Sequence, residues 1–441
     1  MYKRFLCIFI TIILVLFSLT SCQLGQGEAP GFNLDFTADT GYDYDSAADA
    51  ISEASGIEIP AAFFAQMGQE QTEKLMQEVE NGTYTEKSWL KCAGFSYKVM
   101  LDILNGRLNS PNIHNFGHNG KPTFGVSFVG DINFDPDFNN MVHASNKGGI
   151  MNCFDPKVVE YLNATDVCLI NNEYTIGTGG SPIAAKTWTF QVSPDKIDIL
   201  KQLGADIVTL ANNHVFDYGE AGFLSTLDEL DKAGMPRVGA GRNIAEAGQG
   251  QFFIVNGCKV GIVAASRAEK KGDLFTQIAD ENKPGVMGTY ESAEFLKAIR
   301  AAKEQCDVLI VNVHWGTEMT TVLEEAQKTM AREYIDAGAD VIIGGHPHCL
   351  QGMDFYKNKP IIYSIGNFWF NSRTVDSCII TVEIDADMNV TPKIVPLVQR
   401  NCESHMLTEY DERRALFDRV ESYEPQGVTI YDDGTIRPAE D

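Results

Sequence analysis

The stretch Ala339-Asp340-Val341-Ile342-Ile343-Gly344-Gly345-His346-Pro347-His348 decides how this chain folds. Val341, Ile342 and Ile343 are β-branched and uninterrupted by polar residues, the composition of a strand buried on both faces. An amphipathic stretch, 324–337, lies just upstream, and two glycines and two histidines follow at once. Helix, buried strand and polar side chains at the strand's end make one unit of an α/β sheet. The same texture repeats outward. Apolar runs occur at 124–129, 167–170, 207–210, 252–255, 260–264, 308–313, 361–365, 379–384 and 390–395, with amphipathic stretches at 194–203, 221–233 and 292–304. Parallel strands flanked by helices are therefore expected, with an antiparallel portion where the last runs have no helix between them.

Five of these runs end in side chains suited to chemistry. Asp131 and Asn133 follow the first, Asn171, Asn172 and Glu173 the second, and Asn212, Asn213 and His214 the third. His314 closes 308–313, and His346 and His348 follow 341–343. Ligands of α/β sheets bind at the carboxyl ends of the strands. Four of the 8 histidines fall in these loops beside Asp131, Glu173 and Asn213, which points to a metal site. Mixed imidazole and oxygen donors suit Mn, Fe or Zn better than Ca or Mg. His114, His118, His143 and His405 lack this context and read as surface or linker residues. Gly177, Gly179 and Gly180 read as a flexible loop near the substrate.

Charge narrows the partners. Lys plus Arg is 35 and Asp plus Glu is 60, a net of -25, which repels phosphate backbones and argues against nucleic acid. A polyanion can approach only where a cation mediates. No phosphate-binding G-x-x-x-x-G-K-[ST] loop and no G-x-S-x-G elbow occurs, and Gly239-Ala240-Gly241 lacks the third glycine of a dinucleotide site. Asp43 and Asp45 are spaced as calcium ligands but lack the rest of an EF-hand.

At the N-terminus, Lys3 and Arg4 precede the apolar run 5–17. As a helix that run spans about 20 Å, short of the ~30 Å of a bilayer core, so it reads as a secretory signal. Leu19-Thr20-Ser21-Cys22 resembles the bacterial lipobox, in which the cysteine is acylated, so Cys22 is the expected lipid attachment site. The expected organisation is a signal peptide (1–21), an acidic tether (22–47), a helical appendage (48–120), the α/β domain (121–403) and a polar, partly helical extension (404–441).

The motifs, in this order, resemble the CapA-type family of poly-γ-glutamate capsule-synthesis proteins, within the calcineurin-like metallophosphoesterase superfamily. The resemblance rests on residues 211–219, His314-Trp315-Gly316-Thr317-Glu318, 338–348 and 361–368. It implies a calcineurin-like sandwich of two mixed β-sheets flanked by helices, with a one- or two-metal cleft over the strand ends, Mn foremost and Fe or Zn as alternatives. By matching motif, Asp131 and His348 would hold one metal, Asn213, His314 and His346 the other, and Glu173 would bridge them. His214 would face the substrate, with Asp217 orienting its ring. Asn133 stands in the metal site where the superfamily has histidine, and Glu173 where many members have Asp, so one metal loses an imidazole.

Two functions follow. One is metal-dependent hydrolysis of a phosphoester or related bond in capsule or envelope polymer metabolism, with His214 as proton donor. The other is a non-catalytic metal-binding accessory of a poly-γ-glutamate, or other anionic polymer, synthesis or export complex. Either places the protein in the cell envelope, lipid-anchored on the extracytoplasmic side of a bacterial membrane, next to an anionic polymer and its synthesis or export proteins.

Overall fold

The computed structural model describes residues 41–184, 186–268 and 276–439. The expected signal segment and Cys22 lie outside the described residues. The chain divides into two compact units, one ending at His118 and the other beginning at Asn119.

The first unit is helical: α1 (Tyr44–Ser55), α2 (Ala61–Met67), α3 (Gln69–Glu80), α4 (Ser88–Ala93) and α5 (Tyr97–Leu104). Asp43 caps α1 by accepting from the Ser46 amide at 3.0 Å, so its carboxylate is committed to a helix end. Helix α1 begins inside the stretch expected to be tether. Phe63, Phe64, Trp89 and Phe95 pack ring against ring in the interior, and Trp89 Nε1 donates to the Tyr84 hydroxyl at 2.8 Å.

The second unit holds two large mixed sheets. The strands of these sheets are, in chain order, β1 (Thr123–Ile132), β2 (Val167–Asn172), β3 (Ile207–Thr209), β4 (Arg237–Val238), β5 (Gln251–Val255), β6 (Cys258–Ser266), β7 (Val308–His314), β8 (Val341–Gly345), β9 (Met353–Tyr356), β10 (Lys359–Ile362), β11 (Asn367–Trp369), β12 (Val375–Asp385), β13 (Val390–Arg400) and β14 (Glu403–Met406). One sheet runs β14-β13-β12-β1-β2-β3-β4, with β11 beside the end of β1; within the unit the other runs β5-β6-β7-β8-β10-β9. Strands β1 to β4 are mutually parallel, as are β6, β7, β8 and β10. The expected antiparallel portion is β12-β13, which joins the first sheet through β1 and makes it mixed.

Helices cover the sheets through apolar stripes. Val158 and Leu162 of α6 (Pro156–Ala164), Ile197 and Leu200 of α7 (Lys196–Gln202) and Phe223, Leu227 and Leu230 of α8 (Gly219–Ala233) share one core with Val129, Cys168, Ile170 and Val208. On the other sheet, Phe295 of α9 (Ala293–Lys303) meets Tyr334 of α10 (Glu325–Asp336) edge to face at 5.1 Å, and Tyr334 stacks on Trp315. Helix α11 (Tyr410–Ser422) lies in the stretch expected to be partly helical.

One device fixes the register of the parallel strands. Asp166, Asp206, Asp307 and Asp340 each precede a strand by one residue. Each accepts the amide of the neighbouring strand, from Gly125, Cys168, Lys259 and Leu309, at 2.8 Å in every case. With the amino ends clamped, the carboxyl ends stand level. At that end β1 passes close to the chain before β11: a Cβ on Gly130 would sit 1.8 Å from the Gly366 carbonyl oxygen, so only glycine fits.

Candidate metal centre

Five strand ends deliver the site. Asp131 leaves β1, Glu173 follows β2, Asn213 follows β3, His314 ends β7, and His346 and His348 follow β8. Asp131, Glu173, His314, His346 and His348 are all buried. Two groups have ligand atoms within 4.8 Å of one another: Asp131, Glu173 and His348, and Glu173, His314 and His346. Glu173 belongs to both, the arrangement a bridging carboxylate requires.

The ring nitrogens fill in the geometry. His314 Nε2 lies 3.0 Å from Asn213 Oδ1, 3.1 Å from His346 Nδ1 and 3.5 Å from Glu173 Oε1. His348 Nδ1 lies 2.9 Å from Asp131 Oδ2 and 2.8 Å from Asn367 Oδ1. Asn171 joins the carboxylates by donating from Nδ2 to Asp131 Oδ1 at 2.7 Å and to Glu173 Oε2 at 3.3 Å, and Asn212 holds Asn171 by donating to its Oδ1 at 3.0 Å. His346 and His348 reach inward from a strained backbone, with φ of 97° and 56°.

Whether a cation fits can be judged from the oxygens left over. Asp131 Oδ2 and Glu173 Oε1 are buried and, among the described residues, receive no amide or hydroxyl donor; what faces them is a ring nitrogen, His348 Nδ1 at 2.9 Å and His314 Nε2 at 3.5 Å. Buried carboxylate oxygens without donors are costly unless a cation takes them. Electrostatics agree. Burial and the neighbouring Asp131 raise the Glu173 carboxyl well above its ordinary range, while for Asp131 the pull of burial is outweighed by His348, which holds it low. Burial pushes His314 down to about 3, so it stays neutral, as an imidazole ligand must be. A divalent transition ion therefore matches the donor set in charge, number and type.

Asn133 is placed differently from the ligands. Its Oδ1 accepts the Asp135 amide at 2.8 Å, and its buried Nδ2, a donor, has no partner among the described residues. The oxygen that would serve a metal is committed to a turn.

Beside the metal groups stands a second cluster. His214 Nδ1 lies 2.7 Å from Asp217 Oδ2, which also accepts the Phe190 amide at 2.7 Å. Lys186 Nζ reaches Asp217 Oδ1 and the Asn213 carbonyl, both at 2.5 Å. Burial and Lys186 press the His214 imidazole below its ordinary value against the opposing effect of Asp217. Lys186 was not foreseen: it sits in an aperiodic loop with no neighbouring motif. Asn171 and Asn212 stand in strand-end loops already singled out, and only the fold reveals that they orient the carboxylates.

The glycines read as a flexible loop are instead close-packing positions. A Cβ on Gly177 would lie 2.0 Å from Ser225 Oγ, and one on Gly180 2.0 Å from the Tyr218 carbonyl oxygen. His143 and His405 lie beside Glu403, at 2.9 and 3.5 Å, and belong to neither metal group.

The model of the bacterial capsule synthesis protein family PGA_cap matches residues 125–372, more than half the chain. Capsule biosynthesis protein CapA of Bacillus anthracis is 31% identical over 264 residues, covering 56% of this chain and 63% of that protein. PGA biosynthesis protein CapA of Bacillus subtilis (strain 168) is 28% identical over 304 residues, covering 66% of this chain and 75% of that protein. Among solved structures, a 5'-nucleotidase from Candida albicans SC5314 is 10% identical with a TM-score of 0.33, covering 65% of this chain and 52% of that one.

Proposed function

The chain belongs to the bacterial capsule synthesis protein family PGA_cap, and from that premise we propose that it serves capsule or envelope polymer synthesis of the poly-glutamate type as a metal-dependent hydrolase. The bond cleaved is a phosphoester or a related one. The observation that carries this reading is Glu173, buried and shared between two metal-sized groups of ligands. The residues that would hold the ions are Asp131, Glu173 and His348 on one side and Glu173, His314, His346 and Asn213 on the other. A divalent pair supplies a water acidic enough to attack at neutral pH and a positive field for the charge that develops.

The chain's own groups handle the rest. Asp217, held by Lys186 and the Phe190 amide, accepts Nδ1–H of His214 and leaves Nε2 to act. Because burial keeps His214 neutral near pH 7, Nε2 would take up the proton that the attacking water releases and pass it to the leaving oxygen. This keeps His214 as the proton donor expected from the motif and makes it a shuttle. The accessory alternative draws support from the names of both relatives, which describe biosynthesis.

The test is metal analysis combined with turnover of the purified full chain, supplemented with Mn, against a panel of phosphoesters and γ-glutamyl polymers. Two ions per chain, falling to one or none in Glu173→Gln, with phosphoester turnover that falls in parallel, is the expected result. Full metal content without turnover of any member would leave only the accessory role. Anchoring through Cys22 on the extracytoplasmic side of the membrane belongs to the same proposal. Labelling with a fatty-acid analogue should mark the wild type and miss Cys22→Ser.

A further inference from the structure

The 4 tryptophans divide sharply: Trp89, Trp315 and Trp369 are fully buried, whereas Trp188 is 61% exposed. Its flanks are tied on both sides to Asp217, the partner of His214. Lys186, two residues before it, holds Asp217 Oδ1 at 2.5 Å, and Phe190, two residues after it, donates its amide to Asp217 Oδ2 at 2.7 Å. The indole meets Phe138 edge to face at 5.7 Å, Phe138 meets Phe190 at 4.8 Å, and the Phe190 ring lies 4.3 Å from His214. An exposed aromatic surface is thus held by a packed chain of rings that ends on the imidazole assigned to proton transfer.

We propose that Trp188 is a substrate-binding residue that stacks on a ring carried by the phosphoester. The substrate class is then a sugar phosphate or a nucleotide, and an open-chain polyanion is disfavoured. This inference rests on the hydrolase reading and deepens it. A tryptophan packed only for stability would be buried like the other three, whereas one that meets a flat ligand face must stay open until the ligand arrives. Poly-γ-glutamate offers no ring to stack. Stacking of a base on an aromatic side chain changes affinity roughly 5- to 150-fold. The pinned flanks mean that little ordering cost is subtracted from that gain.

The experiment uses the full chain loaded with Mn and follows the heat of binding by titration calorimetry, a readout independent of any tryptophan, with uridine 5'-monophosphate, glucose 1-phosphate, glycerol 3-phosphate and poly-γ-glutamate. At least one ring-bearing ester should bind about 5- to 150-fold more tightly than glycerol 3-phosphate, and the better of the two identifies the ring as base or sugar. Trp188→Ala should erase that preference while leaving metal content unchanged, and Trp188→Phe should retain part of it. Equal affinity for ring-bearing and ring-free esters, preference surviving in Trp188→Ala, or no binding of any ester overturns the inference. Ring preference without turnover would leave Trp188 in its role and sink the hydrolase reading. Turnover without ring preference would do the reverse.

Discussion

The strands of the second unit carry carboxylates at both ends, and the two ends use them in opposite ways. At the amino ends, Asp166, Asp206, Asp307 and Asp340 each spend an oxygen on a neighbouring strand's amide. Asp340 also pairs with Lys303 and Lys359, and Asp166 accepts from Asn119. At the carboxyl ends, Asp131 and Glu173 are more deeply buried, yet each keeps an oxygen that, among the described residues, is faced only by a histidine ring nitrogen. Acid count or burial alone would not separate the two sets. What separates them is whether the lone pairs are satisfied by the protein. Oxygens that amides satisfy hold strands in register; oxygens that only imidazoles face suit a cation.

That contrast predicts its largest effect at the carboxyl ends. Replacing His346 and His348 together removes one nitrogen ligand from each metal group, so bound Mn or Zn should fall from stoichiometric to background after dialysis, as read by elemental analysis. Undiminished metal in a folded double variant would break the distinction between the two ends. His214→Ala should act next most strongly and differently: metal content unchanged, with kcat lower by about 10²–10⁴-fold, the range for a lost proton-transfer group. Full activity of His214→Ala on a substrate that the wild type turns over would remove the shuttle.

At the amino ends the expected loss is structural. Asp340→Ala leaves the Leu309 amide without its acceptor and frees Lys303 and Lys359. Leaving a buried donor unmet costs about 1–3 kcal/mol, so the urea midpoint should fall while metal stoichiometry per folded chain stays the same. Metal loss in folded Asp340→Ala protein would mean that clamp and site are one unit, and the comparison would lose its force.

Much of this was legible in the residues, for reasons that particular positions make plain. Runs such as 308–313 are β-branched and apolar because both faces are covered, so strand identity and the polar residue at the end could be read together. The apolar run 361–365 misled at its end. The strand stops at Ile362, and Gly366, at φ 67°, turns the chain so that Asn367 lies beside Asp131. β11 itself is three residues long and opens on that asparagine, too short for a periodic signal. The amino-end clamps have a visible pattern, an acid directly before Val167, Ile207, Val308 and Val341. Its meaning depends on which strand lies alongside, which no single stretch encodes. Asn133 shows the same limit, since its oxygen is lost to a turn with Asp135 that only local backbone geometry defines. Lys186 gave no warning, because one lysine in an aperiodic loop becomes informative only when Asp217 is known to be beneath it.

The smallest effect tests whether a satisfied carboxylate can still carry a cost. Asp206 is pushed up to about 6, chiefly by burial and slightly by Asp166, against the lowering effect of the Cys168 amide. A carboxyl whose folded value lies above its ordinary one binds more protons folded than unfolded between those two values. Its contribution therefore favours the fold at the acid end of that window and is lost as pH rises through about 6. Above that, the ionised group is a constant penalty. Asp206→Asn keeps an oxygen for the Cys168 amide and removes the charge. The variant should match the wild type near the acid end of the window and exceed it above neutrality by on the order of 1 kcal/mol, compared by urea unfolding at several pH values. The sign is opposite to that for Asp340, whose two lysines compensate its charge, although both residues make the same amide contact. A variant that is less stable than the wild type at every pH would show that the charge of Asp206, as well as its oxygen, holds the register of β2 and β3.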